Sequence, residues 1–226
     1  MRLFAAVLPP PAATAELAAA VDALRELPGL PGADRMRWTQ REGWHFTLAF
    51  YGEVAEPVRP ELERRLARAA ARGRPLTLRL AGAGRFGERT LWMGADGDRE
   101  RLGRLAAAAS AAGRRSGIAM EEQAFHAHLT LARTRRAAPA TVAGGTHEGD
   151  GANGADGVGG ADGTGGTGAT RGTRLDLRPY VAALAGFEGA PWTAGELALV
   201  RSTPPTSGVP GEQPRYTTVA AWRLGR

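Results

Sequence analysis

No cysteine occurs anywhere in the 226 residues. That excludes disulfides, zinc–thiolate sites, iron–sulfur clusters and thiol nucleophiles together. Only four histidines are present, which argues against a His-rich metal site. Lysine is absent too, so all 29 basic residues are arginine. Coding bias accounts for much of that, but arginine is also the better residue for gripping phosphate, because its planar fork meets two oxygens at once. No apolar run approaches the roughly 18 residues that a membrane-spanning helix needs. The opening MRLFAAVLPP is too short in its apolar part for a signal peptide and reads as a first strand. The default expectation is a cytoplasmic, monomeric protein with no membrane association.

What is present is an ordinary globular composition: 43% hydrophobic and 23% charged residues, with a formal net charge of +6. The length suits one domain or two small lobes. A basic balance is compatible with RNA or phosphate ligands without proving them.

Periodicity divides the chain into alternating elements. Residues 2–8 read as a strand stopped by three prolines, and residues 12–27 as an alanine-rich helix. Residues 36–38 lead into a loop. Residues 44–51 read as a strand and residues 58–72 as an arginine-rich helix. Two strands, 76–81 and 90–95, flank the loop GAGRFGER. A second amphipathic helix covers 98–116, with glycine following its end. Residues 123–133 read as one strand, 179–184 as a short helix, and 192–203 and 216–224 as two more strands. Intermixed helices and neighbouring strands predict an α+β fold with mainly antiparallel pairing.

Between residues 137 and 173 the composition changes to Gly, Ala, Thr and Asp, with almost no large apolar side chain. Such a segment buries too little surface to offset its ordering entropy, so a disordered insert is expected there. It has neither the Lys-Ser/Thr ending nor the flanking elements of a phosphate-binding loop.

The chemistry is concentrated in two short stretches, WHFTLAF and FHAHLTLAR. Both contain His-x-Thr-Leu-Ala, as His45 to Ala49 and as His128 to Ala132. Chance supplies roughly 0.3 His-x-Thr pairs in a chain of this composition, so one copy would be a weak signal and two are a strong one. On a strand, histidine and threonine share one face, while Phe46 and Leu48, or Leu129 and Leu131, anchor the other. Two such strands side by side would present two imidazoles and two hydroxyls to one cleft. A pair of histidines in opposite protonation states can serve as general acid and general base. Threonine hydroxyls can hold the non-bridging oxygens of a phosphate. This combination points to phosphodiester chemistry without a metal or other cofactor.

Two His-x-Thr motifs in a small α+β chain resemble the 2H phosphoesterase superfamily, and within it the RNA 2′,3′-cyclic phosphodiesterases, also called 2′-5′ RNA ligases. The likeness extends through MRLFAAVLPP, RWTQREGWHFTLAFYGEV, GRFGERTLWMGA, FHAHLTLAR, ELALVRSTPP and RYTTVAAW. The resemblance implies a bilobal fold of two pseudo-symmetric lobes, mainly antiparallel sheet with helices outside and a central cleft. It implies hydrolysis of an RNA terminal 2′,3′-cyclic phosphate, tRNA fragments included, to a 2′-phosphate, and a reverse 2′-5′ ligation. By motif position, His45 is then the proton donor, His128 the proton acceptor, and Thr47, Thr130 and Arg133 the phosphate-binding residues. Ala127 stands where the family usually has proline, and His126 where it often has Arg or Lys.

His126 is a candidate substrate contact or a solvated rim residue. Trp38, Trp44, Phe86 and Trp92 are candidates for base stacking or for the core. The arginines of residues 58–72 read as a solvated helix face. Two other readings compete with the RNA-end activity: a 2H reaction on a small cyclic nucleotide or nucleotide-derived metabolite, and a non-catalytic RNA-binding module.

Overall fold

Two antiparallel sheets carry the fold in this computed structural model, which describes residues 1–121, 124–134, 175–205 and 212–225. The elements run β1 (Arg2–Val7), α1 (Pro11–Glu26), β2 (Met36–Trp38), β3 (Phe46–Glu53), α2 (Arg59–Arg72), β4 (Leu76–Phe86) and β5 (Thr90–Gly97). They continue with α3 (Arg99–Arg115), β6 (His128–Thr134), α4 (Arg178–Leu184), β7 (Trp192–Ala194), β8 (Glu196–Thr203) and β9 (Arg215–Arg223). The first sheet has the order β3-β1-β8-β9 and the second β2-β6-β5-β4-β7. Helices α2 and α3 pack on the first sheet, α1 and α4 on the second. The chain crosses between the sheets several times, so each lobe is assembled from distant segments. This is the two-lobed α+β architecture that the sequence predicts. The insert expected over residues 137–173 lies outside the described residues.

The apolar pattern explains the layering. In β1, Leu3, Ala5 and Val7 join the main core, while Phe4 and Ala6 pack with Ala198 and Val200 in a small cluster on the opposite face. Pro11 opens α1 at a position where its missing N–H costs nothing. Leu17, Val21 and Leu24 then bury one stripe of that helix. The stripes Leu62, Leu66, Ala70 of α2 and Leu102, Leu105, Ala109 of α3 do the same over the first sheet. Each fully buried leucine contributes about 1.5–3 kcal/mol. The Tyr51 hydroxyl donates to the Ala109 carbonyl at 3.0 Å, fastening β3 to α3, and burial pushes its phenol well above the usual range. The start of α3 is fixed by Gly97, whose φ is 99°. A Cβ there would meet the Thr77 carbonyl oxygen at 2.4 Å. The neighbouring Asp98 carboxylate accepts from the Thr77 N–H at 2.9 Å.

Several expectations need correction. Residues 36–38 are a strand, β2, paired with β6. GAGRFGER is not a loop: β4 runs on to Phe86 and turns only at residues 87–89. The stretch 192–203 is two strands in different sheets, parted at Gly195. The sixth strand begins only at His128, so His126 precedes it and shares no strand face with it. In each case the partner strand decides, and a partner distant in sequence is invisible to local periodicity.

Candidate active site

His45 lies immediately before β3 and His128 opens β6, so the two histidines come from different sheets. The strands that they lead into approach each other across the lobes. Burial alternates identically along both segments. His45 and Thr47 are half-buried with Phe46 and Leu48 inside; His128 and Thr130 are half-buried with Leu129 and Leu131 inside.

Each segment then breaks its alternation at the same place. Against β1, Thr47 pairs with Ala6 and Ala49 with Ala5, leaving Leu48 unpaired. Against β5, Thr130 pairs with Trp92 and Ala132 with Leu91, leaving Leu131 unpaired. These are β-bulges, which insert one residue and re-aim the side chains beyond it. Leu48 and Ala49 both turn inward, as do Leu131 and Ala132. The next residue of each segment, Phe50 or Arg133, is returned to the exposed side.

A cavity of about 430 Å³ opens beside His45 and Thr47. Arg133 of the other lobe lines it, with Arg2 and Arg37. No carboxylate lies among its described lining residues. Arg37 faces Arg133 in the β2–β6 register and donates to the Glu212 carbonyl. Thr47 and Phe50 also line a second cavity of about 710 Å³, together with His126 and His128. The two cavities thus share Thr47 and Phe50, with His45 in one and His126 and His128 in the other. Thr130 is half-buried on the His128 side of its strand.

The imidazoles have distinct surroundings. His45 stacks on Phe4 at 4.6 Å and meets the edge of Tyr216 at 5.0 Å. Burial drives its pKa down to about 4; the Gly43 carbonyl, which accepts from the ring, opposes the shift, and the charge of His128 adds to it. The His128 Nδ1–H donates to the His126 carbonyl at 2.9 Å, which leaves Nε2 with a free lone pair. Burial lowers the His128 pKa; the His126 carbonyl works against this, while the charges of His126 and Arg133 add to it. Phe86 presents itself to His128 at 4.7 Å, and Trp92 to His126 at 4.6 Å. His126 is therefore an exposed rim residue whose backbone orients His128.

Residues 7–92 match the family described as LigT-like phosphoesterase. Two relatives named RNA 2′,3′-cyclic phosphodiesterase align with the chain. One, from Aeropyrum pernix, is 36% identical over 113 residues, 47% of this chain and 63% of the relative. The other, from Geobacillus stearothermophilus, is 35% identical over 100 residues, 42% of this chain and 32% of the relative. The aligned part thus spans less than two thirds of either relative's length. Over residues 7–92 the chain is thus similar to the LigT-like phosphoesterases. Its fold agrees: the crystal structure of E. coli LigT in apo form superposes with a TM-score of 0.64 at 22% identity, covering 100% of this chain and 98% of that one.

Of the six residues singled out from sequence, His45, Thr47, Arg133, His126 and His128 line one cavity or the other, and Thr130 lies half-buried on its strand. Four more were not singled out: Arg2, Arg37, Phe4 and Tyr216. Arg2 and Phe4 do alternate along β1, which puts them on one face. Nothing local to the sequence marks Arg37 or Tyr216. Of the aromatic candidates, Phe86 and Trp92 stand beside the histidines, whereas Trp44 is buried in the core. Trp38 packs 6.4 Å from Tyr180.

Proposed function

We propose that this chain hydrolyses the terminal 2′,3′-cyclic phosphate of RNA to a 2′-phosphate by metal-independent two-histidine catalysis. The observation that carries the reading is the paired, equally bulged His-x-Thr segments on approaching strands of two sheets, beside a cavity lined by Arg2, Arg37 and Arg133. The names of the two aligned relatives supply the substrate class.

The cyclic phosphodiester anion sits against Thr47, Thr130 and Arg133, whose donors match its non-bridging oxygens. His128 Nε2 takes a proton from water as the water oxygen bonds to phosphorus. The bond from phosphorus to the 3′ oxygen breaks, and protonated His45 delivers a proton to that oxygen. One proton enters one imidazole and one leaves the other, so the step balances. With an RNA 5′-hydroxyl in place of water, the same displacement joins its oxygen to phosphorus, releases the 3′ oxygen and forms a 2′-5′ bond, His128 taking the hydroxyl proton and His45 protonating the 3′ oxygen. An anion in the cleft favours the charged form of His45, offsetting the burial that keeps it neutral in the empty site.

The test is incubation of an RNA 2′,3′-cyclic phosphate with the protein in the presence of EDTA. A 2′-phosphate product is expected, with each of His45→Ala and His128→Ala lowering kcat by at least about 10²-fold. No turnover, a 3′-phosphate product, or equal turnover by the double variant would overturn the reading.

A further inference from the structure

On the outer side of the first lobe, a groove of about 590 Å³ runs between α2 and α3, and the chemistry above makes no use of it. Seven arginines line it, with no carboxylate among its described lining residues. Three are tied to acids just outside: Arg65 to Glu61, Arg101 to Asp98 and Arg104 to Glu100. The other four, Arg68, Arg72, Arg74 and Arg115, are exposed and make no ion pair with a described carboxylate. Arg65, Arg68 and Arg72 recur along one face of α2, and Arg101, Arg104 and Arg115 along one face of α3. The floor between them is mostly small, Ala69, Gly73, Ala108, Ala111 and Ala112, alongside the buried Leu76 and Leu105.

A solvated helix face does not account for this. Like charges three or four apart on a helix destabilise it, and two such rows face each other here. The arrangement concentrates positive potential in a concave site, where it gathers anions. A single phosphate needs one or two guanidinium forks, whereas seven along a groove suit a polymer of phosphates. The small floor lets such a backbone lie close. A lipid surface fits less well. Interfacial helices combine basic residues with exposed Trp, Phe or Leu. Among the described residues, the exposed large apolar ones are Leu8, Leu27, Phe50 and Phe86, none of them on α2 or α3.

The groove also connects with the cleft. The opposite side of α3 contributes Ser110 and Arg114 to the cavity that holds His128. Arg114 and Arg115 are consecutive and exposed at the helix end, one belonging to the cavity and the other to the groove. We infer that the α2–α3 groove is a second binding site, which holds the phosphodiester backbone of single-stranded RNA whose end occupies the cleft. The identity of the polymer rests on the RNA-end activity proposed above; the polyanion site itself does not.

The experiment compares the full chain with an Arg68→Gln, Arg72→Gln, Arg115→Gln triple variant. Binding of labelled single-stranded RNA of about 20 nucleotides and of about 4 nucleotides is followed by anisotropy over a salt series. The longer RNA should bind the variant about 10-fold or more weaker, with a log–log salt slope smaller by about 2, because single strands contribute about 0.7 per neutralised phosphate. The short RNA should bind both proteins equally, and kcat/KM for a mononucleotide 2′,3′-cyclic phosphate should be unchanged. Wild-type affinity and slope for the longer RNA would overturn the inference. So would intact RNA binding with loss of binding to phosphatidylglycerol vesicles, which would assign the groove to a lipid surface. If wild-type protein turned over no cyclic phosphate yet the variant lost binding of the longer RNA, the groove would stand and the cleft reading would fall.

Discussion

Leu48 and Leu131 hold the same place in two different sheets: each is the unpaired residue of a β-bulge just after a His-x-Thr pair. Both are buried, at 5% and 0% exposure, and so is the alanine after each. Regular alternation would send the fifth residue after the histidine into the core. The bulge reverses that parity. It is the reason Arg133, and Phe50 opposite it, emerge toward the cleft rather than the interior.

Arg133 should therefore act on the substrate anion from the far lobe. Arg133→Gln is expected to lower kcat/KM by about 10- to 10²-fold while leaving the melting temperature within a degree or two, because the side chain is exposed. Arg133→Lys should recover only part of the loss, since an ammonium cannot bridge two oxygens. Steady-state kinetics of both variants would check this; full rescue by lysine would reduce the role to simple charge.

The rate should fall on the alkaline side. Free His45, with its pKa near 4, must carry a proton to act as the acid, and His128, lowered from 6.5, must be without one. The kcat/KM profile reports the free enzyme, so its maximum is expected between about pH 4 and 6.5 and should decline above that. Bound phosphodiester raises His45, so the alkaline limb of kcat should lie at higher pH than that of kcat/KM. A kcat/KM that rises through pH 6.5 to 8 would contradict these assignments.

Much of this was legible in the amino-acid order, and the illegible parts have a common cause. The echo of His45-x-Thr47 in His128-x-Thr130 needed no structure, because the motif is local and its alternation with Phe46 or Leu129 is strong. The helices around Leu62, Leu66 and Leu102, Leu105 announce themselves by spacing. The bulges at Leu48 and Leu131 do not, since a bulge exists only relative to the strand opposite. Strand β2 is three residues long, too short for a periodic signal, so Arg37 was lost with it. A strand over residues 123–133 would put His126 on the His128 face, but the strand begins only at His128. What the structure assigns to it is a carbonyl for the His128 ring and a ring against Trp92.

His126→Ala is for that reason expected to be mild. The group that orients His128 is a backbone carbonyl, which the substitution keeps. Turnover of a mononucleotide cyclic phosphate should change by no more than about 5-fold, against at least about 10² for His128→Ala. A loss as large as that of His128→Ala would place the His126 imidazole in the chemistry.

His45 also predicts a stability signature. Its folded pKa is depressed, so its contribution is fully present above the unfolded value near 6.5 and is lost as pH falls from there toward about 4. Below that both states are protonated and the loss stops. The upper bound is about 3 kcal/mol, reduced by whatever solvent reaches this half-buried ring. Chemical denaturation across that range, with His45→Gln as reference, isolates the histidine from the carboxylates that titrate nearby. The wild type should lose more stability on acidification than the variant; parallel curves would show an ordinary, solvated imidazole.

Gly84 is expected to be indispensable for a reason of space rather than backbone freedom. It pairs with Trp92 across the β4–β5 ladder. The indole lies over it so closely that a Cβ would sit 2.2 Å from the ring. Backbone holds one side of that contact, so Gly84→Ala must displace Trp92, which lies 4.6 Å from His126 and 5.4 Å from Phe86. Phe86 in turn stands 4.7 Å from His128, and the displacement should travel along this aromatic wall to the base. An overpacked contact of this kind costs about 1–3 kcal/mol, and a misplacement near 1 Å costs on the order of 10²-fold in rate. The two effects separate in a double variant. Adding Trp92→Leu to Gly84→Ala removes the clash and should restore most of the melting temperature. It cannot restore the indole beside His126 and His128, so kcat should stay low. Recovery of both together would mean that the wall serves packing alone.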